Sequence, residues 1–141
     1  MNQIILEAGN GKYVVSKIVN GQKGLYAEGN SQKEAIVLEV LRIGGFITDE
    51  PLRIEFKTGY EYLTIHNSSD GPSVVLDGSG SVENRPFEVL WLGGSQIAMK
   101  GANNHFIAAA EFIEGNTKNK LFANLQKVDN RGIFTVIEVE Q

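Results

Sequence analysis

Gly11-Lys12-Tyr13-Val14-Val15 decides the fold, because the chain repeats it as Gly59-Tyr60-Glu61-Tyr62-Leu63 and as Asn103-Asn104-His105-Phe106-Ile107. Each copy runs from a turn through a polar residue to an aromatic and an aliphatic one. Self-similarity at a nearly fixed period means that one supersecondary unit is copied and that no copy buries its apolar face alone. The pairs Tyr13 and Tyr62, Leu25 and Val74, Ala27 and Leu76, Leu38 and Phe87, and Val40 and Val89 all lie 49 residues apart, so copies one and two align without a gap. Tyr62 and Phe106 lie 44 apart, whereas Val74 and Leu121, Leu76 and Ala123, Phe87 and Phe134, and Val89 and Val136 lie 47 apart. Copy three therefore carries an insertion between Phe106 and Leu121. It is placed in the polar stretch Glu114-Gly115-Asn116-Thr117-Lys118-Asn119, since loops accept length that packed strands do not.

Around these anchors the pattern is one of short strands. Leu38 and Val40, Phe87, Val89 and Trp91, and Phe134 and Val136 alternate with more polar neighbours at period two. Turn signals such as Asn20-Gly21, Asp70-Gly71-Pro72 and Gly93-Gly94 separate them, and sixteen glycines supply the positive φ that tight hairpins demand. Ser31 to Arg42 has helix chemistry, with Ser31 as cap and Glu34 three residues on. The repeat overrules it: copy three has Asn130-Arg131-Gly132-Ile133-Phe134 at the same place, and glycine before an apolar run is poor helix chemistry. A single helical turn ahead of a strand is all that remains. The expectation is an all-β chain of twelve short strands in one domain spanning 1–141, with repeats near 2–50, 51–94 and 95–141.

Composition bounds the function. The chain has 141 residues, 42% hydrophobic and 21% charged, a formal net charge of -4 and no cysteine. Lack of cysteine removes disulfides and thiolate chemistry. Interspersed acidic and basic residues with a net negative charge argue against a nucleic-acid surface, which needs a basic patch. No apolar run is long enough to span a bilayer, so no membrane insertion is expected. The opening Met1-Asn2-Gln3-Ile4-Ile5-Leu6 has neither a basic region nor a long apolar stretch, so no signal peptide is read in it and a cytoplasmic location is expected.

Catalysis finds little support. His66 and His105 are the only histidines, and neither accompanies a nucleophile-elbow motif. Two histidines without cysteine do not make a structural zinc site, and Asp70-Gly71-Pro72 and Asp77-Gly78-Ser79-Gly80 lack EF-hand spacing. Glu39 and Glu88 occupy equivalent outward positions, one solvated feature repeated. No enzyme activity, cofactor or metal is expected.

The Gly-Lys-Tyr-Val-Val segment, the strands Gly24-Leu25-Tyr26-Ala27 and Lys120-Leu121-Phe122-Ala123, and the Leu-Glu-Val and Phe-Glu-Val strands that follow in copies one and two together resemble the β-trefoil superfamily. Among its branches the likeness is to the fascin-like one, which includes the hisactophilins. The resemblance covers the whole chain and implies a six-stranded barrel capped at one end by three hairpins. In that frame Tyr13, Tyr62 and Phe106 form one core set, Leu25, Val74 and Leu121 a second, and Leu38, Phe87 and Phe134 a third. The lectin branch carries Gln-x-Trp in each repeat, and this chain has none. The many loop histidines of hisactophilins are also missing.

The function expected is a non-enzymatic, lectin-like binding module that takes a saccharide through its loops. The alternative is a fascin-like module for actin or another protein partner; either acts as a monomer or weak dimer. Copy three breaks the symmetry, so its loops are the candidate site: Asn103, Asn104 and His105, with Asn116, Thr117 and Asn119. Trp91, without an aromatic counterpart at Arg42 or Glu138, is added as a sugar-stacking face, with barrel packing as its other reading.

Overall fold

The computed structural model describes residues 2–44, 50–78, 82–110 and 118–139. Among them stand twelve antiparallel strands: β1 (Asn2–Glu7), β2 (Tyr13–Val19), β3 (Gln22–Gly29), β4 (Leu38–Gly44), β5 (Leu52–Thr58), β6 (Glu61–Ser68), β7 (Gly71–Asp77), β8 (Phe87–Gly93), β9 (Gln96–Lys100), β10 (Phe106–Ala109), β11 (Leu121–Leu125) and β12 (Phe134–Glu138). Single 3₁₀ turns, Gln32–Glu34, Val82–Asn84 and Asn130–Gly132, precede β4, β8 and β12. The capping chemistry near Ser31 is half realised. Ser31 makes no capping bond, but the Glu34 carboxylate accepts from the Asn30 N–H.

Six strands close a barrel. β1 pairs with β4, β4 with β5, β5 with β8, β8 with β9, β9 with β12, and β12 returns to β1 through Ile4↔Glu138 and Leu6↔Val136. The two ends of the chain thus meet in adjacent strands. The other six form three hairpins, β2–β3, β6–β7 and β10–β11. At Asn20-Gly21 both residues have positive φ, 53° and 78°, which matches the twist of the β2–β3 hairpin. The hairpins lean on one another through Gly24↔Val75, Phe122↔Ser73 and Tyr26↔Lys120, making a threefold cap over one end of the barrel.

The register orders the core in layers. Nearest the cap are Leu6, Phe56 and Met99 with Leu38, Phe87 and Phe134, all at most 1% exposed. Phe56 and Phe87 meet with ring centroids 5.8 Å apart. The next layer is Ile4, Ile54 and Ile97 with Val40, Val89 and Val136, and beyond it on β4, β8 and β12 come Arg42, Trp91 and Glu138. Leu25, Val74 and Leu121 are buried in the hairpins, as expected of that set.

The aromatic set corrects the sequence reading. Tyr13 and Tyr62 are half-buried and Phe106 is buried, but none of the three belongs to the main core cluster. Their successors Val14, Leu63 and Ile107 do. Strand side chains alternate, so a phase error of one residue exchanges the faces. The aromatics cover the outer side, where Arg85 lies over the Tyr62 ring at 4.0 Å and Lys100 over Phe106 at 5.2 Å.

Candidate functional site

The turn Gly101 to His105 joins barrel strand β9 to hairpin strand β10, and it is built like the turn Ala8 to Lys12 in copy one. In both, the first N–H donates to the fifth carbonyl (2.9 and 2.8 Å) and the fourth N–H to the first carbonyl (3.0 Å each). The fourth residue is left-handed: Asn104 at φ 66°, Gly11 at φ 79°. The Asn103 side chain donates to the Ala123 carbonyl at 2.9 Å and accepts from the His105 N–H at 3.2 Å. Asn10 does the same toward Ala27 at 3.1 Å and Lys12 at 2.9 Å. The Asn103 amide is therefore committed to holding its turn against β11. The His105 ring likewise folds back, with Nδ1 2.9 Å from the Asn103 carbonyl oxygen.

Asn119 is also a backbone device. At φ 60° it donates its N–H to Ala110 and offers its carbonyl to the Ala27 N–H, both at 2.8 Å. Trp91 stands apart from the turn, three residues beyond Glu88 on β8 and on the opposite face of the strand. It is 61% exposed and lines the cavity at the end of the barrel together with Ile4, Val89 and Ile97. Asn116 and Thr117, and the insertion assigned to that stretch, lie outside the described residues. Of the predicted set, Asn104 alone lines a sizeable polar groove.

That groove, about 280 Å³, lies between the 3₁₀ turn Val82–Asn84 and the turn 101–105; Arg53, Glu83, Glu88, Lys100 and Asn104 give it its polar lining. Sheet register builds its floor. Arg53 pairs with Glu88 across β5 and β8, and Glu88 with Lys100 across β8 and β9, so three outward side chains form a row of cation, carboxylate and cation. The Lys100 ammonium lies 3.9 Å from the Glu88 carboxylate at roughly one-third exposure, which leaves both within reach of solvent. The corresponding rows in the other repeats are Gln3–Glu39–Lys57 and Gln96–Thr135–Glu7, with fewer charges. Sequence reading missed Arg53, Glu83 and Lys100, and set Glu88 aside as a solvated repeat of Glu39. Relative to the Glu39 row, the row around Glu88 gains one cation, Arg53 in place of Gln3, a difference that only the strand register brings out.

The cleft in the symmetry-related place, between Asn130–Gly132 and the turn 8–12, is about 80 Å³ and is lined by Gly9, Asn10, Asn119, Asn130 and Arg131 with Ala109. There Asp129 accepts from the Arg131 N–H at 2.9 Å and pairs with its guanidinium at 2.6 Å. The Arg131 hydrogen bonds, side chain first and backbone second, hold the Asp129 carboxyl below its usual value.

No protein-family model and no curated protein matches this chain. Solved structures do. A designed threefold-symmetric protein, ThreeFoil, superposes with a TM-score of 0.70 at 11% identity over 97% of this chain and 99% of its own. A type II water-soluble chlorophyll-binding protein superposes with a TM-score of 0.70 at 14% identity, over 98% and 91% of the two chains. The GlcNAcα1-4Gal-releasing endo-β-galactosidase of Clostridium perfringens gives a TM-score of 0.67 at 13% identity over 99% of this chain. This chain spans 33% of that enzyme. At such identities the likeness is one of fold, and together with the closed barrel and its three hairpins it establishes that this chain is a β-trefoil.

Proposed function

We propose that the protein is a non-enzymatic binding module that takes a saccharide in the groove between the Val82–Asn84 turn and the turn 101–105. The observation that carries this reading is the row Arg53–Glu88–Lys100 beside Asn104 in an open groove of about 280 Å³. Sugar hydroxyls both donate and accept, and this row alternates donors with an acceptor while Asn104 offers both. Charge-assisted bonds of this kind supply orientation. The Clostridium enzyme adds support of a limited sort: a β-trefoil-like segment covers a third of a protein described as acting on a galactoside.

A fascin-like protein-binding module, with actin or another cytoskeletal partner, is the second reading. Two large exposed apolar side chains favour it, Ile18 near the β2–β3 turn at 67% and Tyr60 in the β5–β6 turn at 92% exposure. A glycan array set beside an actin co-sedimentation assay separates the two. The saccharide reading expects array signal that Glu88→Gln weakens; filament pelleting with a blank array reverses the order.

A further inference from the structure

Among the described residues, the end of the barrel away from the hairpins holds a cavity of about 210 Å³, lined by side chains from all six barrel strands. Its wall is two threefold sets, Ile4, Ile54 and Ile97 with Val40, Val89 and Val136. Side-chain size explains the opening. The layer nearest the cap is built of Phe, Leu and Met and closes the barrel completely, whereas the Ile and Val side chains of the next layer are too short to meet across the axis. For scale, an engineered apolar cavity of roughly 150 Å³ stays dry and takes up benzene. A larger apolar space with a mouth has room for an aromatic ring bearing a short tail.

The rim specifies the tail. Trp91, 61% exposed, and Glu138, also exposed, both line the mouth. Glu138 makes no side-chain hydrogen bond or ion pair among the described residues. Arg42 occupies the third equivalent rim position, but it is not part of the cavity lining and its Nε donates to the Gly44 carbonyl at 3.3 Å. The mouth thus presents an indole face and a carboxylate, a pair that attracts a cation and disfavours an anion. We propose that the open end of the barrel binds a small amphiphilic amine, its aromatic ring among the Ile and Val side chains and its ammonium between Glu138 and the ring of Trp91. This site is distinct from the saccharide groove, which lies on the outer face of the sheet.

Trp91 is the only tryptophan, so its fluorescence reports on the mouth directly. The probes are 2-phenylethylamine, 2-phenylethanol and 3-phenylpropionate, with calorimetry run in parallel. The expected order of affinity is amine, then alcohol, then carboxylate. Glu138→Gln weakens the amine by about two- to fivefold, as suits an exposed ion pair, and leaves the alcohol unchanged. Val136→Phe fills the cavity and abolishes binding of all three while circular dichroism stays that of the parent. Should that variant not fold, Val89→Ala enlarges the same wall and shifts preference toward 2-(1-naphthyl)ethylamine by calorimetry. The proposal falls if no probe gives a saturable response by either method. It falls equally if the carboxylate binds as tightly as the amine with Glu138→Gln silent, if folded Val136→Phe binds normally, or if Val89→Ala leaves the preference unmoved.

Discussion

The two junction clefts are built from the same parts and differ in how tightly those parts meet. Both lie between a 3₁₀ turn and the turn that opens the next repeat, yet one is about 80 Å³ and the other about 280 Å³. In the small one Gly9 sits where an added Cβ would overlap the Asn130 backbone carbonyl, so the two turns touch. Its counterpart in the large one is Ala102, which lines the groove together with Glu83. Asp129 stiffens the small junction with a capping bond from the Arg131 N–H. On the shared scaffold the two junctions thus carry different residues at the second position of the turn, Gly9 and Ala102, and clefts of different size. Packing at these junctions sets the size of the cleft, and the charge row beneath sets its polarity.

The comparison is broken most severely at Gly9. Gly9→Ala forces a backbone shift and costs about 1–3 kcal/mol in a urea melt, whereas Ala102→Gly costs less than about 1 kcal/mol. Equal losses at the two positions mean that the clefts do not differ in contact. Next in size is the charge row. Glu88→Gln lowers saccharide affinity about tenfold, corresponding to about 1.4 kcal/mol for a hydrogen bond to a charged group. Thr135→Ala, at the matching position of the small junction, leaves it unchanged.

The third test sharpens what the junctions share. Asn10→Ala and Asn103→Ala each remove a side chain that donates to a strand carbonyl and accepts a turn N–H, and each costs about 1 kcal/mol. Saccharide affinity stays at the parent value in Asn103→Ala; a large loss of binding with little loss of stability returns Asn103 to the site. The smallest effect is acid dependence. Arg131 holds the Asp129 pKa below 3.8 in the folded chain, so its contribution to stability is present above that value and is lost as pH falls through the lowered pKa. Urea midpoints of the parent and Asp129→Asn differ slightly at neutral pH and converge in acid. A difference that persists in acid places the contribution outside the carboxylate.

The fold was legible because its signals are local or strictly periodic. Constant offsets such as Leu38 to Phe87 and Phe87 to Phe134 carry the threefold repeat, and Asn20-Gly21 marks a hairpin on its own. The facing of Tyr13, Tyr62 and Phe106 was not, because an aliphatic residue follows each aromatic directly and period two leaves open which of the two faces the core. The candidate site was legible in one residue, Asn104. Asn103 and His105 have the chemistry of ligands, but their polar groups are spent inside the turn, and only the position of Ala123 and the fold-back of the ring reveal it. Arg53, Glu88 and Lys100 are distant in sequence and are joined by strand register alone. Local reading has no access to such a row.

Under the proposed function the wide junction, and not its narrow counterpart, takes the saccharide. A chemical-shift titration of the isotope-labelled chain with mixed mono- and disaccharides tests it directly. The account predicts saturable shifts at Arg53, Glu83, Glu88, Lys100 and Asn104, with Gly9, Asn10, Asn130 and Arg131 unmoved. Shifts centred on those four residues, or none at any saccharide concentration, contradict it.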